Sequence, residues 1–122
     1  MDPYALDILP RVLPVGWEGP TCSAALGTWY RNRAQGLVVI GTAEVEADGK
    51  RWLHVSVSRR SRMPTYEDLA LVKRLFIGPA RKAIQVFPPE AEHVNVHPYA
   101  LHLWCCLDAD PLPDFRRQDG TI

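Results

Sequence analysis

The chain has no excess of charge: 14 basic residues balance 14 acidic ones over 122 positions, so no global field draws it to nucleic acid or to an anionic membrane. Any such binding must come from a local patch. Its apolar runs fall far short of the roughly 20 residues that span a bilayer. The opening Met1-Asp2-Pro3-Tyr4 lacks the basic segment of a secretory leader, so a cytoplasmic protein is expected. Cysteine is scarce. Cys22, Cys105 and Cys106 are odd in number, and the last two are adjacent, so in a strand they point to opposite faces and form no disulfide framework. There is no internal repeat and no low-complexity tract. What is present, 47% hydrophobic and 23% charged residues, suits one globular domain, 1–122, with a core of its own.

Within that domain three regions differ. Residues 1–30 carry Pro3, Pro10, Pro14, Gly16, Gly19 and Pro20, each of which removes a backbone donor or loosens the chain. They predict an irregular proline-rich arm that docks through Leu6, Ile8, Leu9, Val12, Leu13 and Trp17. Residues 110–122, rich in proline and arginine and poor in apolar side chains, predict a flexible tail. Between them, residues 37–108 predict an α+β core.

That core starts with a hairpin. Residues 37–46 and 52–58 are β-rich, and Asp48-Gly49 supplies the turn residues that tolerate positive φ. A helix at about 65–77 follows, with Thr65 as N-cap, Glu67 and Asp68 at its positive end, and Gly78-Pro79 as its stop. Leu69, Val72 and Phe76 lie on one side of it, with Leu71 and Leu75 widening the stripe. Strands are expected near 83–87, 94–97 and 101–107. The predicted fold class is therefore α+β: a small antiparallel sheet with one main helix packed on one face.

Alternation sorts the second hairpin strand. Leu53, Val55 and Val57 share the face that the helix should cover, while Trp52, His54, Ser56 and Ser58 share the other. If registers align, His102, Trp104 and Cys106 join that other face, which is then too aromatic for a solvated surface. The N-terminal arm is the simplest cover for it, with a homodimer interface and a ligand pocket as the other occupants.

The histidines raise two chemistries. His93 and His97 would share a zinc ion on a helix, but Val94, Val96 and Pro98 favour extended chain, where the pair stands about 13 Å apart. A turn near Pro98 could set His97 opposite His102, yet no third ligand is specified, so no metal is expected. His54-Val55-Ser56 looks like half of the histidine-x-serine signature of two-histidine phosphoesterases. Both candidates for the second half, His93-Val94-Asn95 and His102-Leu103-Trp104, lack the hydroxyl.

The main local charge feature is Ser58-Arg59-Arg60-Ser61-Arg62, between a strand end and the start of the helix. Arg59, Arg60 and Arg62 beside free helix amides would suit an oxyanion. Arginines in such a connection are more often solvated or paired with surface carboxylates. Arg60 has the parity of His54 and Ser56, which places it with the aromatic face.

The stretch from Gln85 to Trp104, together with residues 52–60 and 64–69, resembles a family of small proteins of unknown function found in phage and prophage genomes. The likeness covers roughly residues 52–108 and carries no enzyme motif. It implies an accessory gene product that acts by occupying a host protein or sequestering a nucleotide signal, as an inhibitor of a host defence. The expected function is binding rather than catalysis, with no catalytic residue and no cofactor. The expected ligand-contacting residues are Arg59, Arg60, Arg62, His54, Ser56, His102 and Trp104. The partner is a host protein or a phosphate-bearing small molecule, with a homodimer and nucleic acid left open. A phosphoesterase using His54 and a second histidine, or a nucleic-acid-binding accessory protein using the arginine patch, is the alternative.

Overall fold

A computed structural model of the chain describes residues 4–78, 84–86 and 100–108. Their frame is one six-stranded antiparallel sheet in the order β1-β2-β3-β4-β6-β5. The strands are β1 (Trp17–Ser23), β2 (Gly27–Asn32), β3 (Leu37–Val45), β4 (Arg51–Arg59), β5 (Ile84–Val86) and β6 (Ala100–Cys106). Among the described residues helix is confined to α1 (Tyr66–Val72), seven residues long, and the five-residue π-helical turn that continues it over Lys73–Ile77. The α+β class expected above is thereby corrected to a small β-rich fold. Among the described residues no helix is long and apolar enough to cross a membrane.

The β3–β4 hairpin forms where the β-branched runs and Asp48-Gly49 place it. Gly49 adopts φ of +78°, its N–H donates to the Glu46 carbonyl at 2.9 Å, and Asp48 Oδ1 accepts the Lys50 N–H at 2.9 Å. Thr65 caps α1 in a capping box: its hydroxyl accepts from Asp68 N–H while the Asp68 carboxylate accepts from Thr65 N–H. Gly78, at φ of +95°, ends the helical segment.

Register confirms the two faces of β4. Val55 lies between Gly41 and Leu103, and Val57 between Val39 and Leu101. With Tyr30 and Leu37 they form one buried cluster that Leu69, Val72, Phe76 and Ile77 of the helical segment close. Phe76 packs edge-on to Tyr30 and Trp17, at centroid distances of 4.6 and 5.3 Å.

Two expectations about the first 30 residues change. Residues 17–23 and 27–32 are strands rather than irregular arm. Glycine and proline are tolerated there because β1 is an edge strand whose register shifts between Glu18 and Thr21, where a missing donor breaks no central ladder. The shorter arm, from residue 4 onward, docks through Leu9, Ile8 and Leu13 but not through Val12, which is exposed, and it docks on the same face as the helix. Leu9 sits over Gly41, where a Cβ would lie 2.8 Å from Leu9 Cδ1. Thr28 Oγ1 donates to the Tyr4 carbonyl at 2.8 Å, and Tyr30 Oη to the Pro10 carbonyl at 2.7 Å. The arm does not cover the aromatic face. Residues 94–97 and 110–122, for which a strand and a tail were expected, lie outside the described residues.

Candidate functional site

The second face of the sheet is built by the residues that alternate with the core. On β4 and β6, Trp52 pairs with Cys106, His54 with Trp104, Ser56 with His102 and Ser58 with Ala100. Thr42 lies beside His54, and Ile40 beside Ser56, on β3, and Trp29 and Arg31 continue the face onto β2. Cys105 is buried in the core and Cys106 is half-buried on this opposite face, as their adjacency requires.

Two cavities lined by described residues lie on this face. The larger, about 410 Å³, has an apolar floor of Leu26, Val38, Ile40 and Ala100; Ser56, Ser58 and His102 add hydroxyl and imidazole groups, and Arg31, Arg33 and Arg60 add charge. Glu18 takes Arg33 Nε at 2.6 Å and stands 3.6 Å from Arg31 Nε. The Arg33 hydrogen bond holds the Glu18 carboxyl below its ordinary value. The Arg31 guanidinium lies 5.7 Å from the Trp29 ring centroid. Arg60 is exposed and, among the described residues, forms no ion pair.

The smaller cavity, about 100 Å³, is lined by Glu44, Glu46, Trp52, His54 and Trp104. Between the two cavities stand His54 and His102. Their rings are nearly parallel at 20°, with centroids 4.9 Å apart, and His54 Nε2 is 2.8 Å from His102 Nδ1. One of these nitrogens carries the proton and the other accepts it, so each ring orients its neighbour.

The residues expected to contact a ligand divide accordingly. Arg60, Ser56 and His102 come together in the larger cavity, and His54 and Trp104 in the smaller. Arg59 borders the larger cavity, but its guanidinium makes paired bonds to Asp68 at 2.8 and 2.7 Å and donates to the Gln35 carbonyl. Arg62 is exposed beyond the strand and lines neither cavity. Of the three arginines, Arg59 reaches the start of α1 through Asp68, where Thr65 and Asp68 already satisfy two of the amides. His93 and His97 lie outside the described residues.

Comparison with known families follows the same boundaries. Residues 44–108 match the model of a domain of unknown function, DUF7694. The chain belongs to this family. No curated protein and no solved structure is significantly similar to it. The family segment runs from the end of β3 to the turn after β6, so it contains every lining residue named for the smaller cavity and only part of the larger one.

Sequence reasoning did not place Arg31, Arg33, Val38, Ile40, Glu44 or Glu46 at a site. In β2 Thr28, Tyr30 and Asn32 are buried while Trp29 and Arg31 between them are not, a division that the residue types alone do not show. That period-two pattern puts Arg31 on the open face once the segment is recognised as a strand.

Proposed function

We propose that this protein binds a phosphate-bearing small molecule, a nucleotide, in the larger cavity of the open sheet face. The observation that carries the reading is the pairing of an apolar floor with an arginine rim: Val38, Ile40 and Leu26 beneath Arg31, Arg33 and Arg60. The volume of about 410 Å³ falls within the range of small-molecule sites. Three guanidinium groups against the single carboxylate of Glu18 leave net positive charge, and arginine forks suit phosphate oxygens. A base would lie on the aliphatic floor, with Ser56 and Ser58 as hydroxyl partners. The resemblance to small phage and prophage proteins supports a setting for this chemistry, an accessory protein that sequesters a nucleotide signal of a host defence.

Calorimetric titration of the wild type and Arg60→Ala against cyclic and linear nucleotides, with a single-stranded oligonucleotide alongside, tests the reading. The wild type is expected to bind one nucleotide class at one site per chain. Arg60→Ala weakens it by about 1.5 to 3 kcal/mol, the range for a hydrogen bond to a charged group. No binding by the wild type removes the nucleotide reading and leaves a host protein as the target; preference for the oligonucleotide moves it to nucleic acid.

One observation favours a second reading. His54 and His102 lie on neighbouring strands, on one face, at the border of the arginine-rimmed cavity, as the acid and base of a phosphoesterase would. Only His54 has a serine two residues on, and the two rings are bonded to each other. Turnover of an activated phosphodiester by the wild type, lost in His54→Ala, would establish that activity.

A further inference from the structure

The smaller cavity has the opposite chemistry to the larger one. Two of its walls are the indoles of Trp52 and Trp104, with centroids 5.8 Å apart and planes inclined by 55°. His54 forms a third wall, 5.7 Å from Trp104. Glu44 and Glu46, at the end of β3 and just beyond it, complete the lining. The Trp52 Nε1–H donates to Asp48 Oδ2 at 3.1 Å, which satisfies the polar edge of that indole from the hairpin loop.

We propose that this cavity is a binding site for a methylated ammonium group. Aromatic faces carry negative charge density, and a cation within about 6 Å of a ring centroid is attracted to it. With centroids only 5.8 Å apart, the two inclined indoles pack on each other, and a cation lies in the open angle of the V they form, in reach of both rings, rather than sandwiched between them. The two carboxylates add charge of the same sign. A volume of about 100 Å³ admits one such headgroup and not a nucleoside. A primary ammonium is strongly hydrated; a methylated one has fewer N–H groups to satisfy, so its methyl groups suit the three ring walls while the two carboxylates balance its charge. The site shares no lining residue with the arginine-rimmed cavity and stands independently of the nucleotide reading.

Titration of the full chain with choline, and with its uncharged carbon isostere dimethylbutanol, tests the proposal. The readout is the set of indole N–H signals in nitrogen–proton correlation spectra. Choline is expected to shift the Trp52 and Trp104 signals saturably, and the isostere to bind at least about tenfold more weakly, because only the charge differs. Trp104→Ala weakens choline binding about fivefold to thirtyfold, as loss of one ring from a desolvated cation site predicts. Trp104→Phe retains most of it. Glu44→Gln, an exposed position, keeps the test valid if Trp104→Ala does not fold: it weakens choline severalfold and leaves the isostere unchanged. No saturable shift with choline, equal affinity for the isostere, or indifference to Glu44→Gln overturns the proposal.

Discussion

Arg59 and Asp68 fasten the end of β4 to the first turn of α1 by two parallel hydrogen bonds, Nε to Oδ2 at 2.8 Å and Nη2 to Oδ1 at 2.7 Å. The same carboxylate accepts the Thr65 N–H at 2.9 Å. Both side chains are mostly buried, at 15% and 10% exposure, so solvent screens the pair little and the bidentate geometry has its full effect. This pair also separates Arg59 from Arg60: one holds the helix to the sheet, while the other is exposed at the rim of the larger cavity.

Asp68 therefore sets an acid limit on stability. The Arg59 hydrogen bonds, with the Thr65 amide, hold its carboxyl at about 2 against an ordinary 3.8. A depressed carboxylate stabilises the fold fully above its unfolded value and loses that contribution as pH falls through the folded one, here from about 4 to about 2. The shift corresponds to about 2 kcal/mol. Asp68→Asn is expected to lower the unfolding free energy by about 2 to 3 kcal/mol at neutral pH and to flatten the acid dependence over that window. Denaturant unfolding of both proteins across acid and neutral pH checks it, and parallel pH profiles would contradict it.

Tyr30 sets the alkaline counterpart. Burial pushes its phenol to about 12 from 10.0, and its hydroxyl donates to the Pro10 carbonyl. Because the folded state favours the neutral phenol, the contribution is complete below about pH 10 and is lost as pH rises through about 12. Tyr30→Phe is expected to cost about 1 kcal/mol at neutral pH, the net worth of a hydrogen bond, and to lose less than the wild type on alkaline titration. Thermal unfolding at neutral and high pH distinguishes the two.

Much of this was legible in residues 37–78, where propensity, alternation and capping agree. Alternation in 52–58 alone assigns both faces of β4. Thr65 was legible as the N-cap and Asp68 as a first-turn acid, while the reciprocal bond that makes them a capping box came from the structure. Parity also separates Arg59, which follows Val57, from Arg60, which follows Ser58, although adjacency in sequence suggests one patch. The two N-terminal strands were hidden because their glycines read as breakers. Gly27 is required by close packing: a Cβ there would lie 2.5 Å from Thr42 Cγ2. Gly41 leaves room for Leu9. With β2 unrecognised, Arg31 and Arg33 had no face to belong to, and half of the larger cavity could not be assembled.

The arm is structural and behaves as core. Leu9 is 2% exposed, whereas Val12 is 87% exposed a few residues on. Leu9→Ala is expected to destabilise the protein by about 2 to 4 kcal/mol through lost burial and the void left over Gly41. Val12→Ala should stay within about 0.5 kcal/mol of wild type. Equal effects of the two in denaturant unfolding would show that the arm is not anchored as described.

The open face should respond to substitution as two sites rather than one. Arg60, Ser56 and His102 line the larger cavity, and Trp104, Trp52 and Glu44 the smaller, with the His54–His102 contact between them. Trp104→Phe preserves an aromatic ring beside His54, and Trp104 lines only the smaller cavity, so nucleotide affinity should change by less than about 0.5 kcal/mol. Ile40→Asp places a carboxylate on the apolar floor among Ser56, Val38 and the arginine rim, where it repels phosphate and removes the surface on which a base would lie. That substitution should abolish nucleotide binding while choline still shifts the Trp104 indole signal. Titrating each variant with both ligands gives four affinities. If Trp104→Phe weakens nucleotide binding as much as Arg60→Ala does, the two cavities act as one extended site, with Trp104 stacking on the base, and the division by charge fails.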